Sequence, residues 1–297
     1  MRCVGVRRII AFMLMCAAVL LLCSCKKTLP EPLVYENDGL KIEILSTGKS
    51  DCIIICIDDE VIVIDTADVD DGAYISERLR AYGITKIDHL ILTHYDKDHI
   101  GSAVEILNNF AVERIIAPDF SDTSDLYALL MNAVSRKGTE LIRPNEDMFF
   151  EAGEGEFWIN VPSEPTYKDE NNYSLITTLS YGSQKFVFMG DALKARTQEY
   201  YDRLTTDADG EAAFDYALVK LPHHGDYYKA LTELLSVIDP TYAVITANSR
   251  EIETKYNDAT VEEKLVQALE TLQIEFFVTC DGSIRLFCDG TDVEITQ

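Results

Sequence analysis

The chain has 297 residues, 51 of them acidic against 26 basic, for a formal charge of −25, and 47% are hydrophobic. That apolar content can fill a core and excludes a disordered polyelectrolyte. The acidic excess argues against a broad nucleic-acid-binding surface, which needs clustered Lys and Arg, but it allows a single site centred on bound cations, which invert the local field.

Arg2, Arg7 and Arg8 precede an unbroken apolar run of 15 residues from Ile9 to Cys23. The run is short of the ~20 residues that span a bilayer as a helix, and it reads as a secretory signal. Its exit, Leu22-Cys23-Ser24-Cys25, resembles a bacterial lipobox. The resemblance implies cleavage after residue 24 and a lipid thioether on Cys25. The expected organisation is a signal peptide over 1–24, the lipidated Cys and a tether over 25–38, and one domain over 39–297. An uncleaved anchor and plain secretion stay open as alternatives. All three place the domain outside the cytoplasm, and the lipoprotein reading ties it to the bacterial membrane. Loss of Arg2, Arg7 and Arg8 takes the charge from −25 to −28. An anionic membrane surface repels such a domain, and a tether containing Pro30 and Pro32 would hold it clear.

Residues 40–46 and the apolar runs from Cys52 to Ile57 and Val61 to Ile64 predict strands, the last two joined by a turn at Asp58-Asp59-Glu60. Helical spacing follows over 73–82 and stops at Gly83, a natural C-cap. A short strand over 87–92 delivers Thr93-His94, and a helix is expected over 100–110. A strand over 114–117 and a helix over 126–134 come next. Strands are then expected at 149–150, 156–161, 174–181 and 185–189, with Phe149, Phe150 and Trp158 in the core. The rest alternates: helix 192–203, strand 217–221, helix 231–238, strand 242–247, helix 260–272, and closing strands at 276–279, 284–288 and 293–296. Two sheets packed together with helices outside, a four-layer αββα sandwich of the α/β class, accommodate this order.

Outside the leader and Cys25, four cysteines remain: Cys52, Cys56, Cys280 and Cys288. Their spacing matches no thiolate metal site. Buried free thiols are the simpler reading, and a disulfide between the two pairs stays open.

Four of the five histidines fall in two clusters, each directly after an apolar strand. The first is Thr93-His94-Tyr95-Asp96-Lys97-Asp98-His99, with possible ligands His94, Asp96, Asp98 and His99. No helical face holds that spacing, but a tight loop at a strand end turns all four toward one point. Two carboxylates and two imidazoles converging there need a cation to offset their desolvation. The second is Pro222-His223-His224-Gly225. Between them, Met189-Gly190-Asp191 ends a strand in a carboxylate. His89 lies within a strand, and Asp65 ends one beside the first cluster. Both are read as candidates to support a ligand. Lys220 reads as a solvated strand end rather than a phosphate clamp.

These motifs, with Ser50-Asp51-Cys52 and Asp65-Thr66-Ala67, resemble those of the metallo-β-lactamase-fold hydrolases from about residue 40 to 297. Within that superfamily the chain looks most like the extracytoplasmic domain of ComEC-type competence proteins, on Asp96, Asn172-Tyr173-Ser174-Leu175 and Pro222 to Gly225. The resemblance implies that Asp191 bridges two divalent metal ions. It gives one ion Asp98, His99 and a His of the 223/224 pair, and gives the other His94 and Asp96. Both His223 and His224 are carried as metal residues. The His that most relatives supply before the bridging Asp is absent, and Asn171, Asn172 and Ser174 stand in the matching region. The later Tyr-Gly-His-Pro is replaced by Tyr256-Asn257-Asp258-Ala259. A thiolate-free set suits zinc or manganese, and Asp98 would both bind and orient the nucleophile, as the catalytic residue.

The leading expectation is a membrane-anchored, metal-dependent hydrolase of phosphoester or phosphodiester bonds, acting on an anionic, phosphate-containing substrate such as DNA, RNA or an envelope polymer. A carboxyl-ester, amide or thioester hydrolase of the same fold is the first alternative, since fold does not fix function. A non-catalytic metal-binding module that handles DNA is the second.

Overall fold

The structure, a computed structural model, describes residues 39–207, 215–250, 252–253 and 261–297. The signal, Cys25, the tether and Tyr256 to Ala259 lie outside the described residues.

The opening apolar runs form a meander, β1 (Leu40–Ile44), β2 (Ile53–Ile57) and β3 (Glu60–Ile64), with antiparallel register Ile42↔Ile55 and Ile55↔Ile62. Helix α1 (Gly72–Ala81) crosses to β4 (Lys86–Ile91), which pairs parallel with β3. The helix expected over 100–110 is two helices, α2 (Lys97–Ile100) and α3 (Ala103–Asn109). Gly101 lies between them because the chain there presses on the backbone of Asp68 and Val69. A Cβ would come within 2.4 Å of both. Parallel strands β5 (Ala111–Ile116) and β6 (Glu140–Ile142) flank helix α4 (Asp125–Lys137). At three residues, β6 is too short to show a periodicity, and no strand is expected there from the sequence.

The second half opens with antiparallel strands β7 (Met148–Ala152), β8 (Gly155–Asn160), β9 (Ile176–Tyr181) and β10 (Gln184–Phe188). Helix α5 (Lys194–Asp207), β11 (Leu218–Lys220), α6 (Lys229–Ile238) and β12 (Tyr242–Ile245) follow in parallel crossover style. A two-residue pair, β13 (Ile252–Glu253) and β14 (Val261–Glu262), precedes α7 (Glu263–Thr271). Strand β15 (Glu275–Val278) joins the second sheet, and β16 (Ile284–Cys288) with β17 (Val293–Thr296) returns to the first. The sheets run β17-β16-β1-β2-β3-β4-β5-β6 and β15-β12-β11-β10-β9-β8-β7.

Side-chain alternation sorts the apolar residues into three layers of core. In β2, Ile53, Ile55 and Ile57 face the second sheet and meet Phe157, Leu179 and Phe186. Cys52, Ile54 and Cys56 face the other way, toward Ile75, Leu79 and Ile106 of α1 and α3. A third layer joins Val187, Val219 and Ile245 to Tyr200, Leu234 and Leu265 of α5, α6 and α7. Three cores between four layers are the αββα sandwich. Among the described residues the four cysteines, Cys52, Cys56, Cys280 and Cys288, divide among these layers and are free thiols. Burial pushes the Cys56 thiol up to about 11. Phe149 is not core: on edge strand β7 it is 72% exposed, its ring parallel to Trp158 at 6.1 Å.

Candidate metal centre

Both sheets end at one edge, and the histidine clusters leave the strands there. The Leu175 amide donates to the Thr93 carbonyl at 2.9 Å, joining the loop before β9 to the loop after β4. Gly190, at φ +53°, turns the chain out of β10 against Thr93, where a Cβ would lie 2.7 Å from the Thr93 Cβ. This brings Asp191 to the loop that carries His94 and His99. His223 and His224 follow β11, both with positive φ, 46° and 56°. Two consecutive left-handed residues send the two rings in different directions.

The structure gathers Asp98, His99, Asp191 and His224, each offering a ligand atom within 4.8 Å of the others. His99 Nε2 is 3.2 Å and His224 Nε2 3.4 Å from Asp191 Oδ2, and His224 Nε2 is 3.5 Å from Asp98 Oδ2. His94 adjoins them, with Nε2 3.9 Å from Asp191 Oδ2 and 3.8 Å from Asp96 Oδ2. Asp96 is 45% exposed at the mouth. His223 stands outside the cluster, half-buried, with Nδ1 3.4 Å from Asp226. Of the two expected histidines, then, the backbone turn brings only His224 into the cluster.

Four buried atoms here, His94 Nε2, His99 Nε2, His224 Nε2 and Asp191 Oδ1, have no hydrogen-bond partner. Orphaned groups of this kind cost about 1–3 kcal/mol each unless a ligand satisfies them. Nitrogen and carboxylate donors converging without thiolate suit divalent cations such as zinc or manganese, so the residues fit such ions. Electrostatics agree. Burial, then the charge of His99, holds the His94 imidazole neutral, down near 3. Burial also opposes charge on His99 and His224, but Asp191 outweighs it and raises both. A divalent cation bound there would displace those protons. Burial and Asp98 push the Asp96 carboxyl up to about 6.

Beneath the ligands lies a buried hydrogen-bonded floor. Asp65 accepts from the Thr93 amide at 2.8 Å and the Thr93 hydroxyl at 2.7 Å, and its Oδ2 faces His99 Nδ1 at 2.7 Å. Asp51, Asp65 and His99 also lie within 4.8 Å of one another. Partners already engage both carboxylates: Asp65 as above, and Asp51 by an ion pair with Lys220. Lys220 is wholly buried rather than a solvated strand end. His89 lies away from this floor: in β4 it stacks on Phe150 at 4.4 Å, because its strand face looks into the space between the sheets. In the Asn171–Ser174 region, two side chains are engaged by backbone amides. Asn172 Oδ1 accepts from the Arg196 amide, and Ser174 Oγ accepts from the Asp191 amide. The sequence reading gives Thr246 no role, takes Asp51 only as part of the motif Ser50-Asp51-Cys52, and reads Lys220 as a solvated strand end. The signal available was a Lys inside the apolar run Leu218 to Leu221 and an Asp at the head of another.

The profile of the metallo-β-lactamase superfamily matches residues 45–247. The chain belongs to the metallo-β-lactamase superfamily, a class of metal-dependent hydrolases. It is 26% identical over 202 residues to ComE operon protein 3 of Bacillus subtilis (strain 168), covering 68% of this chain and 24% of that protein. The chain thus spans about a quarter of that relative's length. Among solved structures it resembles Tm1679, described as a metal-dependent hydrolase of the β-lactamase superfamily (TM-score 0.53, 12% identity, 82% of this chain and 98% of that one). It also resembles the metallo-β-lactamase-fold protein YhfI from Bacillus subtilis (0.51, 12%, 82% and 98%). A mutant form of the CmlA β-hydroxylase is similar as well (0.52, 13%, 85% and 54%). These likenesses establish the fold. No described helix is long and apolar enough to cross a membrane.

Proposed function

We propose that the chain is a metal-dependent hydrolase of phosphoester or phosphodiester bonds, working outside the cytoplasm on a lipid anchor at Cys25. The observation that carries the hydrolase reading is the convergence of the buried Nε2 atoms of His94, His99 and His224 with Asp191 Oδ1, atoms that make no hydrogen bond. In this reading Asp98, His99, Asp191 and His224 would hold one ion, and His94, Asp96 and Asp191 would hold a second with fewer ligands. Divalent ions, when bound, supply a nucleophile at neutral pH by acidifying water, and they stabilise developing negative charge.

The protein's own residues do the rest. Asp191, 3% exposed at its side chain, holds the two halves of the centre together from the end of β10. Asp98 is 22% exposed at its side chain, so its carboxylate is open to solvent. Burial opposes its charge, but the neighbouring His224 and His99 rings outweigh burial and hold the Asp98 carboxyl below the usual carboxylate range, so it stays ionised and can orient an attacking water. Three carboxylates, Asp96, Asp98 and Asp191, against two divalent charges leave the centre about +1, which attracts one anionic group. The charge of −28 left once Arg2, Arg7 and Arg8 are removed with the leader repels a long polyanion beyond it. A compact or terminal phosphodiester therefore suits the site better than a duplex threaded across it.

The test is hydrolysis of bis-p-nitrophenyl phosphate and of single-stranded and duplex DNA with zinc or manganese, beside Asp191→Ala. Metal-dependent cleavage is expected, with at least a 100-fold loss in the variant. No turnover with ions bound would sink the phosphodiesterase reading and favour carboxyl-ester chemistry or a binding module.

A further inference from the structure

We infer that Thr246, held by Asp51 and Lys220, is a positioning residue that fixes the His224 imidazole with its proton on Nδ1 and the Nε2 lone pair facing the metal centre. The inference rests on the metal-centre reading above and names residues that the ligand set does not include.

The argument is one of counting protons. Thr246 Oγ1 lies 2.7 Å from Asp51 Oδ1 and 2.9 Å from His224 Nδ1. A hydroxyl has one proton to donate, and an ionised carboxylate can only accept. The Thr246 proton is therefore committed to Asp51, and the hydroxyl oxygen can only accept from His224. That places the His224 proton on Nδ1. Asp51 serves this purpose only as an anion, and the buried Lys220 ammonium, paired with its Oδ2, keeps it one.

The same group reaches two more ligand segments. The Asp51 amide donates to the Asp98 carbonyl at 3.1 Å, and Lys220 Nζ donates to the Gly190 carbonyl at 3.4 Å. A matching arrangement serves the first sheet. The Thr93 hydroxyl gives its proton to Asp65 at 2.7 Å and faces His94 Nδ1 at 3.0 Å. Each group thus joins a carboxylate, a threonine just beyond a strand and an imidazole, and both carboxylates, Asp51 and Asp65, come from loops of the first sheet. Thr93 follows β4 and Thr246 follows β12.

Zinc affinity of the full purified chain, by competition with a chromophoric chelator, tests the assignment without requiring turnover. Thr246→Val keeps the shape and removes the acceptor. It is expected to weaken zinc binding by about 10–100-fold, the usual cost of losing such a partner. Thr246→Ser, which restores the hydroxyl, is expected to stay within about threefold of wild type. A folded Thr246→Val protein that binds zinc like wild type overturns the inference, as does a Ser variant no better than Val. Long-range 1H–15N spectra of the zinc-loaded wild-type chain give an independent answer if the Val variant does not fold. A proton on His224 Nδ1 alone supports the assignment, and a proton on Nε2 overturns it. A wild-type chain that takes up no ion overturns the metal-centre reading and this inference together, whereas wild-type binding with an indifferent Thr246 sinks only the inference.

Discussion

At φ +53°, Gly190 adopts a backbone conformation that L residues enter only at a cost of about 1–3 kcal/mol. It does so in contact with Thr93, the residue that orients Asp65 and His94. Gly190→Ala therefore adds strain and a clash at one point. It is expected to lose about 2 kcal/mol or more in urea unfolding and to weaken zinc binding as Thr93 is pushed aside. A variant as stable as wild type would contradict the close approach. Arg196 is a second residue whose role is local order. Its wholly buried guanidinium donates to the carbonyls of Ser174 and Asn160, pinning the loop that meets Asp191. Neither residue stands out in sequence, because a Gly before an Asp marks any turn and an Arg in a helix is ordinary.

Helix α4 shows what an element owes to its ends. Ser124 accepts from the Tyr127 amide at 3.1 Å as N-cap, and Gly138, at φ +68°, closes the C-terminus. Ser124→Ala is expected to cost about 1 kcal/mol in urea unfolding with metal affinity unchanged. A loss of metal affinity would show α4 coupled to the centre. Elements with long apolar alternation were legible without coordinates, as in the β2–β3 hairpin, where one face meets the other sheet and the other face meets helices. Those set by contacts were not. The break between α2 and α3 follows from Gly101 pressing on Asp68, and β6 exists because Arg114 to Ile116 offers it a parallel edge. Likewise Lys220, charged in an apolar strand, finds its counter-ion 169 residues away in the chain.

Across the molecule, the two sheets share a core and, at one edge, bring Asp51, Asp65, Asp98 and Asp191 together with three imidazoles. Like charges packed there strain the fold unless cations hold them. Ions that bind the native state alone stabilise it by mass action, about 2.7 kcal/mol at a hundredfold excess over Kd. Stripping the protein with a chelator is expected to lower its melting temperature, and adding back zinc or manganese to restore it. A melting curve indifferent to both would count against a metal centre built from these groups.

Most of the order of strands and helices and the four-layer class were legible in the sequence, and His94, Asp98, His99, Asp191 and His224 were among its candidate ligands, from their place at strand ends and from the resemblance. Apolar periodicity and ligands at strand ends are local signals. Which of His223 and His224 turns inward, the distance of His89 from the centre and the Asp51–Lys220–Thr246 support were decided only by tertiary structure. The reason is physical: these depend on backbone angles at single residues and on partners brought together from both sheets, and spacing along the chain encodes neither.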